Sequence, residues 1–314
     1  MSYQILESPA QVPIPLAGKA YLRAMIAFRV LASLPLSVLY RVADLLYLLL
    51  THVVRYRRAV ILDNLRQSFP ELTEKALWHL AKAYYRNISD VVVETIKLPG
   101  LPPDELRRRV TYTNPEMALK WLSEGQTVVG VAPHQCNWEW LPPAAVLYGI
   151  QVDSVYKPLN SPFSERLMHH IRSSFGPHLI PMQRLPRELV SRRTIPRLIA
   201  LVADQMPNQP EAAYWTDFLH RDTPFYTGIE RLARSLKAPV LYVDMTRVKR
   251  GYYRATFSLL AAPPYTDLPE GQLLERYRDR LTDTIRHDPA NWLWSHKRWK
   301  HHRQEYAKLW GKLE

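Results

Sequence analysis

Cysteine is almost missing from this 314-residue sequence, where Cys136 stands alone. A single thiol excludes an internal disulfide framework and a cysteine-rich zinc site. Glycine is also scarce, 10 residues against 26 prolines, and no glycine-rich loop of the phosphate-cradling kind occurs. That argues against a nucleotide cofactor, and the sequence calls for no other cofactor and no metal. Acidic residues are outnumbered, 29 against 42 Lys and Arg, leaving a net charge of +13. An excess of this size implies an anionic partner: nucleic acid, an anionic membrane, or an acidic protein or ligand. Residues 1–20 hold no arginine and one lysine, Lys19, so the basic start of a secretory signal is missing.

Hydrophobic residues make up 47% of the chain, enough for a large core and too many for a disordered one. Nine Trp and 18 Tyr suit a protein that meets a bilayer interface, although cores use both residue types too. The first apolar region, residues 24–54, is broken by Arg29, Arg41 and Asp44. Its longest uncharged run, residues 30–40, falls well short of the roughly 20 apolar residues of a spanning helix. Over residues 36–56, Ser37, Arg41, Asp44, Thr51, His52 and Arg55 recur at helical spacings. They form a narrow polar stripe on an otherwise apolar helix. Arg55, Arg57 and Arg58 then add a basic cluster. Two readings fit: a helix lying in an anionic membrane interface, or a helix packed on the domain core.

There is no internal repeat and no Gly/Ser linker. The expected organisation is an N-terminal membrane-associated helical segment, residues 1–58, and one further domain, residues 59–314. Thr73 caps an expected helix reaching residue 97, stopped by Pro99-Gly100. From residue 115 onward short apolar runs alternate with helical patterns. Strands are expected near 127–132, 151–156, 179–182 and 197–203, and helices near 115–123, 138–148, 161–175 and 227–236. A hairpin follows over 239–260, then helices over 270–286 and 292–300. The pattern is α/β: a mostly parallel mixed sheet flanked by helices, with an antiparallel hairpin at one side. Ligands in such folds bind beyond the carboxyl ends of the strands.

Two expected strands end in residues that can do chemistry. Strand 127–132 runs into Pro133-His134-Gln135-Cys136-Asn137-Trp138-Glu139, and strand 197–203 into Asp204-Gln205. If Asn137 caps the following helix, Glu139 lies in its first turn and its carboxylate can fold back toward the His134 ring. A carboxylate on one imidazole nitrogen fixes the tautomer and makes the other a better general base for a hydroxyl acceptor. About one His-x4-acid match is expected by chance in this composition, and the chain holds only this one. The spacing alone therefore leaves a catalytic and a structural His134 equally open.

The segment GVAPHQCNWEW resembles the His-x4-acid motif of the bacterial lipid A biosynthesis lauroyl/myristoyl acyltransferases. The resemblance extends in order over residues 30–300. It takes in Tyr156-Lys157-Pro158-Leu159-Asn160, a helix carrying Arg172 before Phe175-Gly176, Ala203-Asp204-Gln205, and the closing segment from Trp292 to Lys300. Glu139 stands where many members carry Asp, an exchange of one carboxylate for another. The resemblance implies acyl transfer from an acyl-carrier-protein thioester to a hydroxyl of a lipid A precursor or similar glycolipid. The place implied is the cytoplasmic face of the inner membrane. It makes His134 the base and Glu139 its orienting carboxylate. Arg172, or backbone N–H groups near Asn137, would supply donors to the thioester oxygen, and Asp204 would orient Arg172 or the acceptor. Arg172 as a surface charge and Asp204 as a solvated strand-end cap remain the plainer alternatives.

Other readings carry less. A Cys136 acyl carrier sits two residues from His134, a separation that rarely brings side chains into hydrogen-bond geometry. The basic stretches match no nucleic-acid-binding motif, so no nucleic acid partner is expected. The remaining alternatives are transfer to another membrane lipid, an aminolipid or phospholipid, and a non-catalytic membrane-surface binding protein. The geometry around His134 separates the last from an enzyme.

Overall fold

The computed structural model describes residues 19–306. Five helices come first: α1 (Lys19–Ser33), α2 (Leu36–Leu48), α3 (Arg58–Ser68), α4 (Glu74–Lys97) and α5 (Pro103–Arg109). The alternating part comprises β1 (Val110–Tyr112), α6 (Glu116–Ser123), β2 (Val128–Ala132), α7 (Leu141–Leu147), β3 (Val152–Tyr156), α8 (Pro162–Arg172), β4 (His178–Pro181), α9 (Leu185–Ser191) and β5 (Leu198–Val202). Two hairpins follow, β6 (Tyr214–Phe218) with β7 (Arg221–Phe225), then, after α10 (Gly228–Leu236), β8 (Val240–Lys249) with β9 (Tyr252–Ala261). Helix α11 (Gln272–His287) is the last among the described residues.

Seven strands form one sheet in the order β1-β9-β8-β2-β5-β3-β4, and every neighbouring pair is parallel except β8–β9. This is the mixed, helix-flanked α/β sheet the alternation predicts. Strand β2 is buried along its whole length. Val128 and Ala132 face one core, Val129 and Val131 the other, as the two-residue period of a strand requires. Its run is continuously apolar because helices cover both faces.

Several elements depart from the sequence reading. β1 and the β6–β7 hairpin carry no strong pattern, being short or broken by charges. Residues 292–300 are not a helix but a turn-rich strap. Trp292 and Trp294 meet edge to face at 4.7 Å within the core, and Arg298 is fully buried. Asn64 Nδ2 donates to the carbonyls of Trp294 and His296, and Arg57 donates to Ser295. Backbone groups engaged by other parts of the chain are lost to helical bonding.

Helix α2 packs a stripe of Leu36, Leu39 and Ala43 inward, and α4 is its principal neighbour. Tyr40 donates to Glu94 of α4, and Asp44 pairs with Arg250 of the β8–β9 turn. Gly251 allows that close approach: a Cβ there, at φ +74°, would meet the Tyr40 hydroxyl at 1.9 Å. The helix continues past Leu48 as a π-turn, Leu49–Val53. By length and composition, residues 36–53 are long and apolar enough to cross a membrane, with a mean hydropathy of 1.4, yet only 22% of that stretch is buried. Val38, Val42, Leu45, Leu49 and Val53 form an exposed apolar stripe, joined by Ile26, Val30 and Leu31 of α1.

Charge is also buried on purely structural duty. Asp153 of β3 is inaccessible and accepts from Arg192 and Arg197, the latter 2% exposed at its side chain. Removing one member of a buried pair leaves the other uncompensated, at a cost of about 3–5 kcal/mol. Asp153→Asn should therefore lower the melting temperature by many degrees, whereas Arg193→Ala, at an exposed position, should leave it unmoved. A melting curve unchanged by Asp153→Asn would contradict this.

Candidate active site

The site follows from the register of two strands. β2 and β5 are adjacent and parallel, with Ala132 opposite Val202. His134 and Asp204 each stand two residues further on, so they leave the sheet side by side. The His134 ring Nδ1 lies 2.5 Å from Asp204 Oδ1, and the His134 backbone N–H donates to Oδ2 at 2.9 Å. The Trp292 indole N–H, from the strap, donates to Oδ2 as well, at 2.7 Å. Burial alone would push the Asp204 carboxyl up, but the His134 charge, the two His134 bonds and the Trp292 bond outweigh it, holding Asp204 below its ordinary value. A carboxylate on Nδ1 places the imidazole proton there and turns the Nε2 lone pair outward. The His134 side chain is 17% exposed against 2% for Asp204, so the ring meets the opening and the carboxylate does not. Gln205 Nε2 stands 3.1 Å from His134 Nε2.

Glu139 is not the carboxylate on His134. It takes a two-pronged bond from Arg172, Nε to Oε2 at 2.8 Å and Nη2 to Oε1 at 2.6 Å. The segment from Trp138 to Trp140 forms a 3-10 turn, and that turn directs Glu139 toward the last turn of α8. Trp138 links the two pairs, donating from its indole to Glu139 and meeting the His134 ring edge to face at 5.1 Å. Asp204 accordingly orients His134 and not Arg172.

Asn137 departs from expectation too. Its side chain makes no cap bond to the following turn and is fully buried. Its amide donates to Glu94 Oε2 at 2.7 Å, an oxygen that Tyr253 also reaches. Burial pushes the Glu94 carboxyl up, and the Tyr253, Asn137 and Tyr40 bonds only partly offset this. Asn137 thus anchors the 133–137 loop to α4 and has no exposed surface to offer a substrate. Cys136 takes a left-handed φ of +52°, the sharp bend that reverses the loop. Its buried thiol donates to the Met245 carbonyl and is pushed well above its ordinary value by burial. A thiol so held cannot act as a nucleophile.

The strap fixes the second loop. His296 Nε2 accepts from the Met206 N–H at 3.1 Å, and Tyr226 donates to the Met206 carbonyl. Sequence reading missed His296 because its partner is backbone. Among the described residues no group of three or more His, Cys, Asp or Glu could hold a metal. A cavity of about 390 Å³ lies between α10, α11 and the loop around Tyr265, but none of the His134 cluster lines it.

The family model for the bacterial lipid A biosynthesis acyltransferases matches residues 14–301. The chain belongs to that family. No curated protein sequence matches it. As a member of a lipid A acyltransferase family, the protein is an acyltransferase of lipid A biosynthesis, and the His134–Asp204 pair sits at the strand ends where such a fold binds its ligands.

The strap gives a pH-dependent term. Burial first, then the nearby Arg298 charge, lowers His296 to about 4, with Asp204 opposing and His134 and Arg57 adding to the effect. A histidine depressed from its ordinary 6.5 contributes stability that is complete above about 6.5 and is lost as pH falls toward about 4. His296→Gln keeps an acceptor for Met206 without titrating. It should flatten the fall in melting temperature between pH 6.5 and 4; an equally steep fall in the variant would overturn the assignment.

Proposed function

We propose that the protein transfers a fatty acyl chain from an acyl-carrier-protein thioester to a hydroxyl of a lipid A precursor or similar glycolipid, working at the cytoplasmic face of the inner membrane. The observation that carries this reading is the His134 imidazole, fixed at Nδ1 by buried Asp204 and turned to the opening at Nε2, where it meets the part-buried Gln205 side chain. The acceptor oxygen attacks the thioester carbonyl carbon while its proton passes to Nε2. Asp204 stabilises the imidazolium without taking the proton. Collapse of the tetrahedral intermediate breaks the C–S bond, and the leaving thiolate takes the proton back from Nε2. Arg172, neutralised on one edge by Glu139, presents its remaining Nη1 toward an anionic group of a substrate. The +13 charge favours an acidic carrier and an anionic lipid.

Attachment to the membrane is proposed through the exposed stripe on α1, α2 and the π-turn. One side of α2 is committed to α4 and to the Asp44–Arg250 pair, and lipid cannot surround a helix held in that way. The reading is therefore interfacial, with the apolar side sunk to headgroup depth. Tyr21 and Phe28 of α1 contact Phe163 and His170 of α8, so the attached surface continues to the helix that carries Arg172.

Two experiments test these statements. Mass spectrometry of lipids from cells with and without the gene should show one acyl group missing from a glycolipid, restored by the wild type. His134→Ala should fail to restore it, since loss of a general base costs about 10²–10⁴-fold in rate. Restoration by a folded His134→Ala protein would refute the mechanism, and loss of an acyl group from a phospholipid would refute the acceptor. For attachment, Leu45→Ser, Leu49→Ser and Val53→Ser combined should move the protein to the soluble fraction with little change in melting temperature. Retention in the membrane pellet through a high-salt wash would contradict attachment by this face.

A further inference from the structure

We infer that Gln205 is a catalytic residue, whose side-chain amide caps the His134 base in the resting enzyme and then donates to the thioester oxygen in the transition state. The inference rests on the acyl-transfer reading above and adds to it the group that receives the developing negative charge. It begins with the tautomer. With the ring proton on Nδ1, facing the Asp204 carboxylate, Nε2 is left with a lone pair to accept. The Gln205 atom 3.1 Å away is the amide nitrogen, a donor. A donor on the base lone pair occupies the place an acceptor hydroxyl must take. The hydroxyl displaces it, and the freed N–H remains within one side-chain swing of the reacting atoms.

Several other donors near His134 are engaged. Its own N–H is held by Asp204, and the Cys136 N–H by the Asn291 carbonyl. Asn137 is buried against Glu94. Arg172 gives Nε and Nη2 to Glu139. Gln205 differs. Its described side-chain bond goes to His134 alone, and it is only part-buried. Its backbone is anchored on both sides, at Asp204 by Trp292 and His134 and at Met206 by His296 and Tyr226. A part-buried donor on a fixed backbone meets the need of a charge that exists only in the transition state. In that step the acceptor O–C bond forms, the carbonyl π electrons move onto oxygen, and Gln205 N–H bonds to that oxygen without transferring a proton. Reforming the C=O expels the thiolate, which recovers the proton held on His134 Nε2.

The test compares Gln205→Ala, Gln205→Glu and His134→Ala as full-length proteins in detergent. The probes are the acyl-carrier-protein thioesters of saturated C10–C16 chains, with a purified lipid A precursor as acceptor. Loss of one oxyanion donor lowers kcat by about 10²–10³-fold, so Gln205→Ala should lose that factor in kcat with KM for both substrates unmoved. Gln205→Glu, which sets a negative charge beside the developing oxyanion, should be at least as slow. Melting temperatures within a few degrees of wild type show that each variant is folded, as expected for a part-buried side chain. An unchanged or raised kcat in Gln205→Ala would reduce Gln205 to a resting cap and overturn the inference, as would a loss confined to KM. If His134→Ala is inactive while Gln205→Ala is normal, this inference fails alone. If His134→Ala is also normal, the acyl-transfer reading fails with it.

Discussion

The parallel pairing of β2 with β5, Ala132 opposite Val202, is the constraint on which the site depends. Neighbouring strands run about 4.8 Å apart, so equal steps beyond a register pair bring two side chains within hydrogen-bond reach. His134 and Asp204 are that pair. A one-residue slip of either strand would turn its own loop to the opposite face and separate the ring from the carboxylate. Gly130 contributes to the fit: a Cβ there would approach the Leu198 side chain to 2.7 Å, closer than buried atoms pack.

Register alone does not hold two loops still. The first loop is fixed at three points: His134 on Asp204, Cys136 on the Asn291 carbonyl, and Asn137 on Glu94. The second is fixed by the strap, through Trp292 on Asp204 and His296 on Met206. Helix α4 lies behind both. Asp90 holds Arg247 and Arg250, Glu94 holds Asn137, Tyr40 and Tyr253, and Asn87 reaches the Ala290 carbonyl. Buried carboxylates are costly unless fully bonded, and here each bond ties α4 to a different segment. The same helix receives α2, so the apolar surface proposed to meet lipid and the 133–137 loop share one support.

Much of this was legible in the residues. The buried run TVVGVA, the proline-opened α8 and the basic turn of the β8–β9 hairpin carry local signals strong enough to give the α/β class. His134 and Asp204 were both recognisable as strand-end residues. Their pairing was not, because strand order is a long-range property and Glu139 is the nearer carboxylate in sequence. The 3-10 turn at Trp138 decides the matter by sending Glu139 to Arg172. Asn137 read as a cap because capping is its usual local use, whereas a tertiary bond to Glu94 satisfies it. The strap over residues 292–300 looked helical for the same reason, since Trp, His and Arg spacing does not report backbone bonds made to α3.

If His134 and Asp204 act as one unit in the reaction, a double-mutant cycle on the two residues will show it. Transfer rates would be taken for wild type, His134→Ala, Asp204→Asn and the double variant, all verified as folded. Residues that act together are strongly non-additive. Each single substitution should cause a large loss, and the double variant should be scarcely slower than His134→Ala. Losses that multiply, or a Glu139→Gln substitution that couples to His134 while Asp204→Asn does not, would contradict it.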